Sequence, residues 1–437
     1  MTNNHGNGPA GAPAEVAGVS APITQRIVLV VILLITLLVA YVDRVNVSVL
    51  VTDGLFLDAM GITGQPVSIG LLMTAFLIAY GVSNVFIAPL GDVIGPRKAM
   101  TLSILLWGIA LLLGGVATTF AFMIVSRVSL GIGEGMQWPM QSKYVKNWFS
   151  PAQRGKANAV WLVGLMVGPA VAMPFFTWII HTLGWRPTFF VLASIGLVPL
   201  VLLWFFTTDH PRQNRWISSA ERDAIEAGLK AELEAEAAVA AQSVGGSVKA
   251  FVGNYRFWLL TVFYACFASV WWGTMTWLPS YLKDARGFSW AAMGAWASLP
   301  YCLGTVNVIL FGWLSDKVGR RAPFAALSML GAAAGIYFGA HAPDNNTAAI
   351  LLSLGIASIA IGLPSVWTLL QQIVPGRAVG AGAGMMNGVA NGGSALAPVA
   401  IGFFISVTGG FMGGLMFLVA LTLVGFACMS VLAFQKY

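Results

Sequence analysis

Arg127, Gly131, Glu134 and Trp138 stand at intervals of four, three and four in a segment, Ser126 to Pro139, that is otherwise apolar enough to cross a membrane. On a helix these four share one stripe, with Arg127 and Glu134 two turns, about 10 Å, apart. A charge turned to lipid costs about 3 kcal/mol or more, so the stripe must face protein or a water-filled path. Two chemistries fit: an ion pair that holds helices together, or ionisable groups on a transport pathway, the commoner use of charge at this depth. The glycines at 131, 133 and 135 permit close helix contact or a bend. A second acid and a second base stand in Ala40-Tyr41-Val42-Asp43-Arg44-Val45-Asn46-Val47-Ser48. Two arginines and two ionised acids sum to zero, so admitting a carboxylate leaves the pocket negative unless a proton comes with it. That balance points to proton-coupled anion symport.

The elements that must position these charges are membrane helices. Of 437 residues, 58% are hydrophobic and 9% charged, against about 25% charged in a soluble domain. The chain is therefore expected to be an all-α integral membrane protein. Twelve apolar segments are long enough to span, at about 27–50, 67–90, 98–117, 119–142, 156–182, 187–206, 256–282, 289–314, 322–341, 347–373, 378–407 and 410–434. Residues 1–25 carry no charged stretch ahead of an apolar core and read as a disordered cytoplasmic tail rather than a signal peptide. Two six-helix bundles, 26–207 and 256–437, flank a hydrophilic cytoplasmic linker, 208–255, whose Ser219 to Ala241 run is Ala/Glu-rich and helical in character. With the N-terminus inside, eighteen of the 23 Lys and Arg residues fall on the cytoplasmic side. Arg186, Lys283 and Arg286 lie outside, Arg44 and Arg127 within spans. The basic balance thus sets topology in a cell (inner or plasma) membrane, with both termini cytoplasmic, and calls for no nucleic-acid partner.

The loop after the second span reads Gly91-Asp92-Val93-Ile94-Gly95-Pro96-Arg97-Lys98, and the loop after the eighth reads Ser315-Asp316-Lys317-Val318-Gly319-Arg320-Arg321. Asp92 aligns with Asp316 and Gly95 with Gly319. Six spans separate them, so the halves are parallel repeats about an axis along the membrane normal. The repeated loop resembles the signature of the major facilitator superfamily, the first copy with Ala88 and Pro96 in place of the usual Gly and Arg. The resemblance implies that fold, two parallel six-helix repeats around a central cavity, and a carrier that works as a monomer. It also implies a cytoplasmic lock between the halves, here Asp92, Arg97, Asp316, Arg320 and Arg321.

Tyr41 to Asn46, together with Arg127, Gly133-Glu134-Gly135 and Trp138-Pro139, resembles the anion:cation symporter family within that superfamily, which includes D-galactonate, tartrate, phthalate and sialin-type carriers. This resemblance implies that Asp43 and Glu134 are the protonatable pair, that Arg44 and Arg127 meet substrate or balance the acids, and that Tyr41 and Tyr80 hydrogen-bond in the central cavity.

No other acid or base lies deep in a span, so the second half is expected to offer aromatic and amide groups. Trp271 and Trp272 of the seventh span are deep enough for one of them to wall the cavity. Trp277 lies near the outer interface, where an aromatic belt is expected. Trp367 and Gln371 supply polar groups in the tenth span. Asn387 and Asn391, four apart on one face of the eleventh, bond either substrate or a neighbouring helix.

A proton-driven exporter of drugs or metabolites is the alternative, since Gly164-Leu165-Met166-Val167-Gly168-Pro169 is similar to the Gly-Pro motif of antiporters, although Ala170-Val171-Ala172-Met173 follows in place of Gly-Gly. The two arginines favour an anionic cargo. His5, His181, His210 and His341 are scattered, and Cys266, Cys302 and Cys428 sit singly, so neither an enzyme nor a metal site is expected. No phosphate-binding loop appears. The proton gradient is the expected driving force, with no cofactor.

Overall fold

The computed structural model describes residues 24–242, 249–375 and 378–436. The tail assigned to 1–25 falls almost entirely outside the described residues, as does the Gly-Ser stretch of the linker at 243–248.

Apolar length dictates the architecture. With no water to satisfy backbone groups inside a bilayer, a chain this apolar must bond its own N–H and C=O groups within helices. Among the described residues eleven helices are long and apolar enough to cross, from Gln25–Leu50 to Phe411–Phe434. The fourth crossing, expected as one segment over 119–142, is made instead by two helices, Phe120–Glu134 and Gln137–Trp148. They meet at Gly135 and Met136, both still right-handed (φ −62° and −79°), so the turn shifts the axis without reversing it. Ser83 donates to the Ile132 carbonyl at 2.8 Å and Ser103 to that of Gly133, so side chains from the second and third spans occupy carbonyls beside the junction.

The three glycines of this span answer to three neighbours. A Cβ on Gly131 would sit 2.4 Å from the Phe76 carbonyl, one on Gly133 2.7 Å from the Trp107 nitrogen, and one on Gly135 2.4 Å from the Ser83 side chain. Span four is thereby pressed against the second and third spans, Pro66–Phe86 and Pro96–Gly115. Within the first half, the opening span also packs on Gly164–Leu183 and Trp185–Phe206. Gly164 and Gly168 meet Leu38 and Tyr41 there, giving the Gly-x-x-x-Gly-Pro stretch a packing use.

The repeated loops define one end of the molecule, called here the basic end. Their aligned glycines both have positive φ, 87° at Gly95 and 70° at Gly319, a backbone region where a side chain is strained. At this end the linker helix, Ser219–Gln242, is fastened to the first half. Buried Arg26 reaches Glu221 at 3.2 Å and Gln153 at 2.7 Å.

The halves meet toward the opposite end. Gly164–Leu183 packs on Trp290–Val318, and Pro66–Phe86 on Ala397–Thr408. The contact is backbone on backbone: a Cβ on Gly70 would lie 2.4 Å from the Pro398 carbonyl oxygen, and one on Gly402 2.3 Å from that of Pro66. Gly294 is similarly seated on Pro174 and Thr177, and His181 stacks on Trp290 with centroids 5.8 Å apart. At the basic end the loop charges pair within their own halves, and Gln371 and Trp367 of the tenth span are exposed. The halves are thus packed together at one end, while at the basic end the described loop charges pair within their own halves.

Candidate functional site

Span one brings Asp43 and Arg44 to the middle of the bundle, and span four brings Arg127 and Glu134 opposite them. All four are at most 3% exposed. Arg44 Nε donates to Glu134 Oε2 at 2.8 Å, and Nη2 lies at the same distance from that oxygen. Both contacts use one carboxylate oxygen, and no N–H or hydroxyl donor of the described residues reaches Oε1. Asp43 is buried beside Glu134, Arg127 and Arg44; its carboxyl lies within hydrogen-bond reach of the Glu134 carboxyl, and no N–H or hydroxyl of the described residues donates to it. None of the three guanidinium nitrogens of Arg127 has a protein acceptor. One arginine is therefore paired and the other unpaired, in a place where an unmet charge is costly.

Aromatic rings enclose Arg44. Its guanidinium carbon lies 4.6 Å from the centroid of Tyr41, 4.9 Å from Tyr80, 5.6 Å from Phe76 and 5.8 Å from Trp272. Trp272 comes from the seventh span, Tyr255–Ser280, and stacks on Tyr41 at 6.5 Å with planes 12° apart. It is the point where the second half touches the charge cluster. Phe76 also lies 5.2 Å from Arg127, so one ring is within reach of both cations. Such rings hold a desolvated guanidinium through their electron-rich faces.

The other expected residues are distributed differently. Trp138 is half-buried and edge-on to Trp161 at 5.1 Å, so it packs against span five rather than joining the charges. Trp271 packs on Tyr301 at 5.5 Å, inside the second half. Trp367 is 39% exposed and edge-on to Tyr264. Gln371 is exposed near the basic end. Asn391 donates to both the carbonyl and the side-chain oxygen of Asn387, at 2.9 and 2.7 Å, so these amides first serve each other. Trp277 corrects the aromatic-belt expectation: it is 5% exposed and donates to the Pro398 carbonyl at 2.9 Å, the oxygen that also abuts Gly70.

At the basic end Asp92 pairs with Lys143 at 2.7 Å, and Asp316 with Arg321. Arg97 takes the Trp204 carbonyl and, through its backbone N–H, Asp209 at 2.7 Å. Arg320 takes the Ala433 carbonyl.

The sequence reading passed over Phe76, Asn46, Gln137 and Gln141 as site residues. Asn46 and Gln137 are fully buried with both amide atoms unpartnered. Each stands three residues after an acid, Asp43 or Glu134, and that spacing was the available signal.

The family model of the Major Facilitator Superfamily matches residues 33–398. A probable sulfoacetate transporter of Cupriavidus necator is 32% identical over 381 residues, 85% of this chain and 86% of that one. A D-galactonate transporter of Escherichia coli is 27% identical over 92% and 94% of the two chains. Among solved structures, a bacterial homologue of the human lysosomal transporter Spinster, inward-facing and occupied, aligns with a TM-score of 0.74 at 18% identity, covering 96% of this chain and 98% of that one. A D-xylose-proton symporter aligns at 0.69 and 17%, covering 93% and 96%. Twelve crossings, the repeated Asp-Gly loop and matches that run nearly end to end agree: this chain is a multi-pass membrane transporter, not an enzyme, and belongs to the major facilitator superfamily.

Proposed function

We propose that this protein is a proton-coupled symporter that takes up a small organic anion, a carboxylate or sulfonate, by alternating access. The observation that carries the reading is the competition built around Arg44. Its Nε and Nη2 both address one oxygen of Glu134 inside an aromatic cage. An anion gains those donors only when Glu134 is neutralised, and a proton does that.

With the far end open, a proton taken onto the Asp43–Glu134 pair releases Arg44, and a carboxylate or sulfonate binds the guanidinium in a charge-assisted pair. Tyr41, Tyr80 and Trp272 shape the pocket around it. After the halves rock, the proton leaves toward the basic end, Glu134 reclaims Arg44, and the anion is displaced. The arrangement described here, closed at the far end, corresponds to that release step. Under this reading the basic end faces the cytoplasm, both termini lie there, the host is the cell (inner or plasma) membrane and the unit is a monomer. Its relatives, a probable sulfoacetate transporter and a D-galactonate transporter, support an anionic cargo.

The test is uptake into proteoliposomes under an imposed proton gradient, with a panel of labelled sulfonates, sugar acids and dicarboxylates beside efflux of a cationic dye. One anion should accumulate faster at acidic external pH, and Glu134→Gln should abolish gradient-driven accumulation while leaving anion exchange. Retention of pH-driven accumulation in both Asp43→Asn and Glu134→Gln would refute the coupling. Dye efflux without anion uptake would establish an exporter instead.

A further inference from the structure

Span four carries a second polar feature that begins at Glu134 and leads away from the anion site. Glu134, Gln137, Gln141 and Tyr144 follow at intervals of three, four and three on one face of a nearly continuous right-handed backbone. All four are at most 2% exposed. The stripe runs about 15 Å from the charge cluster toward the basic end. Gln141 Nε2 donates to the Leu33 carbonyl at 3.2 Å, so the stripe faces span one within the first half. Tyr144 meets Thr207 at 2.8 Å, where the sixth span ends. Both amide atoms of Gln137 and Oε1 of Gln141 have no protein partner. Leaving buried amides unmet is destabilising, and an apolar residue of the same shape would pack as well without that cost.

We propose that Gln137 and Gln141 line the route by which the proton on Glu134 exchanges with water at the basic end, through the interior of the first half and apart from the anion's path. The proposal rests on the symport reading above. The proton leaves the Glu134 carboxyl, passes along water held by the two amides and emerges beside Tyr144 and Thr207; no bond other than O–H is made or broken. The ionisable groups facing its start are Asp43, Arg44 and Tyr41 from span one, Tyr80 from span two and Arg127 from span four itself. Those facing its end are Asp209 and Arg97. The two amides are positioning residues: they hold the path and do not touch the anion.

The experiment compares the full-length protein with Gln137→Leu, Gln137→Glu and Gln141→Leu in proteoliposomes. Two signals are read, proton influx evoked by a transported anion and exchange of that anion at equal concentrations. Wild-type influx tests the symport reading; its absence overturns both claims. Given wild-type influx, Gln137→Leu should slow it about tenfold or more with exchange within about twofold, and Gln137→Glu should restore it. Influx at the wild-type rate in both leucine variants would overturn the conduit. So would parallel loss of influx and exchange in a folded variant, since that marks a packing role.

Discussion

The first six spans and the last six share an architecture, yet their interiors are built from different chemistry. The first half buries Asp43, Arg44, Arg127 and Glu134, and much of that polarity has no protein partner. The second half carries amides and rings that largely serve one another: half-buried Asn391 on Asn387, buried Trp271 on Tyr301, and exposed Trp367 on Tyr264. Duplication of a fold thus preserves the hinges and loops while leaving each interior free to specialise. Under the proposed symport, the half with unmet charge is where protonation changes the energy of the site. The other supplies a wall, with Trp272 as its point of contact.

The sharpest way to break that contrast is Arg44→Ala. It leaves Glu134 buried without its cation, and breaking such a pair costs about 3–5 kcal/mol. Uptake should fall at least a hundredfold, and thermal unfolding in detergent should occur well below wild type. Arg44→Ala combined with Glu134→Leu should recover most of the stability and none of the transport. If the single variant retained uptake, coupling would not reside in the first half's charges.

The seam between the halves gives the next effect. Gly70→Leu places side-chain atoms where the Pro398 backbone now lies, so the far end cannot close as it does here. The cost falls on one conformation rather than on the fold. Spin labels on exposed far-end positions of spans two and eleven should report longer distances, and uptake should fall about tenfold or more with little change in melting temperature. Unchanged distances would show that the pinch is incidental to gating.

The two charge pairs, the twelve apolar segments and the repeated loop were legible because each is a local deviation from an apolar background. The aligned glycines could be read as a pair, and their positive φ explains why glycine stands at both places. What escaped depended on tertiary approach. Nothing local in Gly70 says that Pro398 will face it from 328 residues away, and the same holds for Trp277, which looked interfacial by depth but is sealed beside that contact. Trp138 shared the stripe of Arg127 and Glu134 by spacing, and in the structure its ring packs edge-on against Trp161. Phe76 carried no polar signal, although it lies within reach of both arginines.

The smallest effects separate wall from ornament within the second half. Trp272 faces Arg44 across the seam at 5.8 Å, and a desolvated cation–π contact is worth about 1–2 kcal/mol. Trp272→Ala should therefore raise the KM for the anion about tenfold while leaving the pH dependence of uptake in place, because the acids stay intact. Asn391→Ala removes only side-chain bonds to Asn387 one turn away, so KM should move by about twofold or less. A large effect at Asn391, with Trp272→Ala near neutral, would invert the assignment. The anion would then sit against the eleventh span, and Arg44 would be the partner of Glu134 alone.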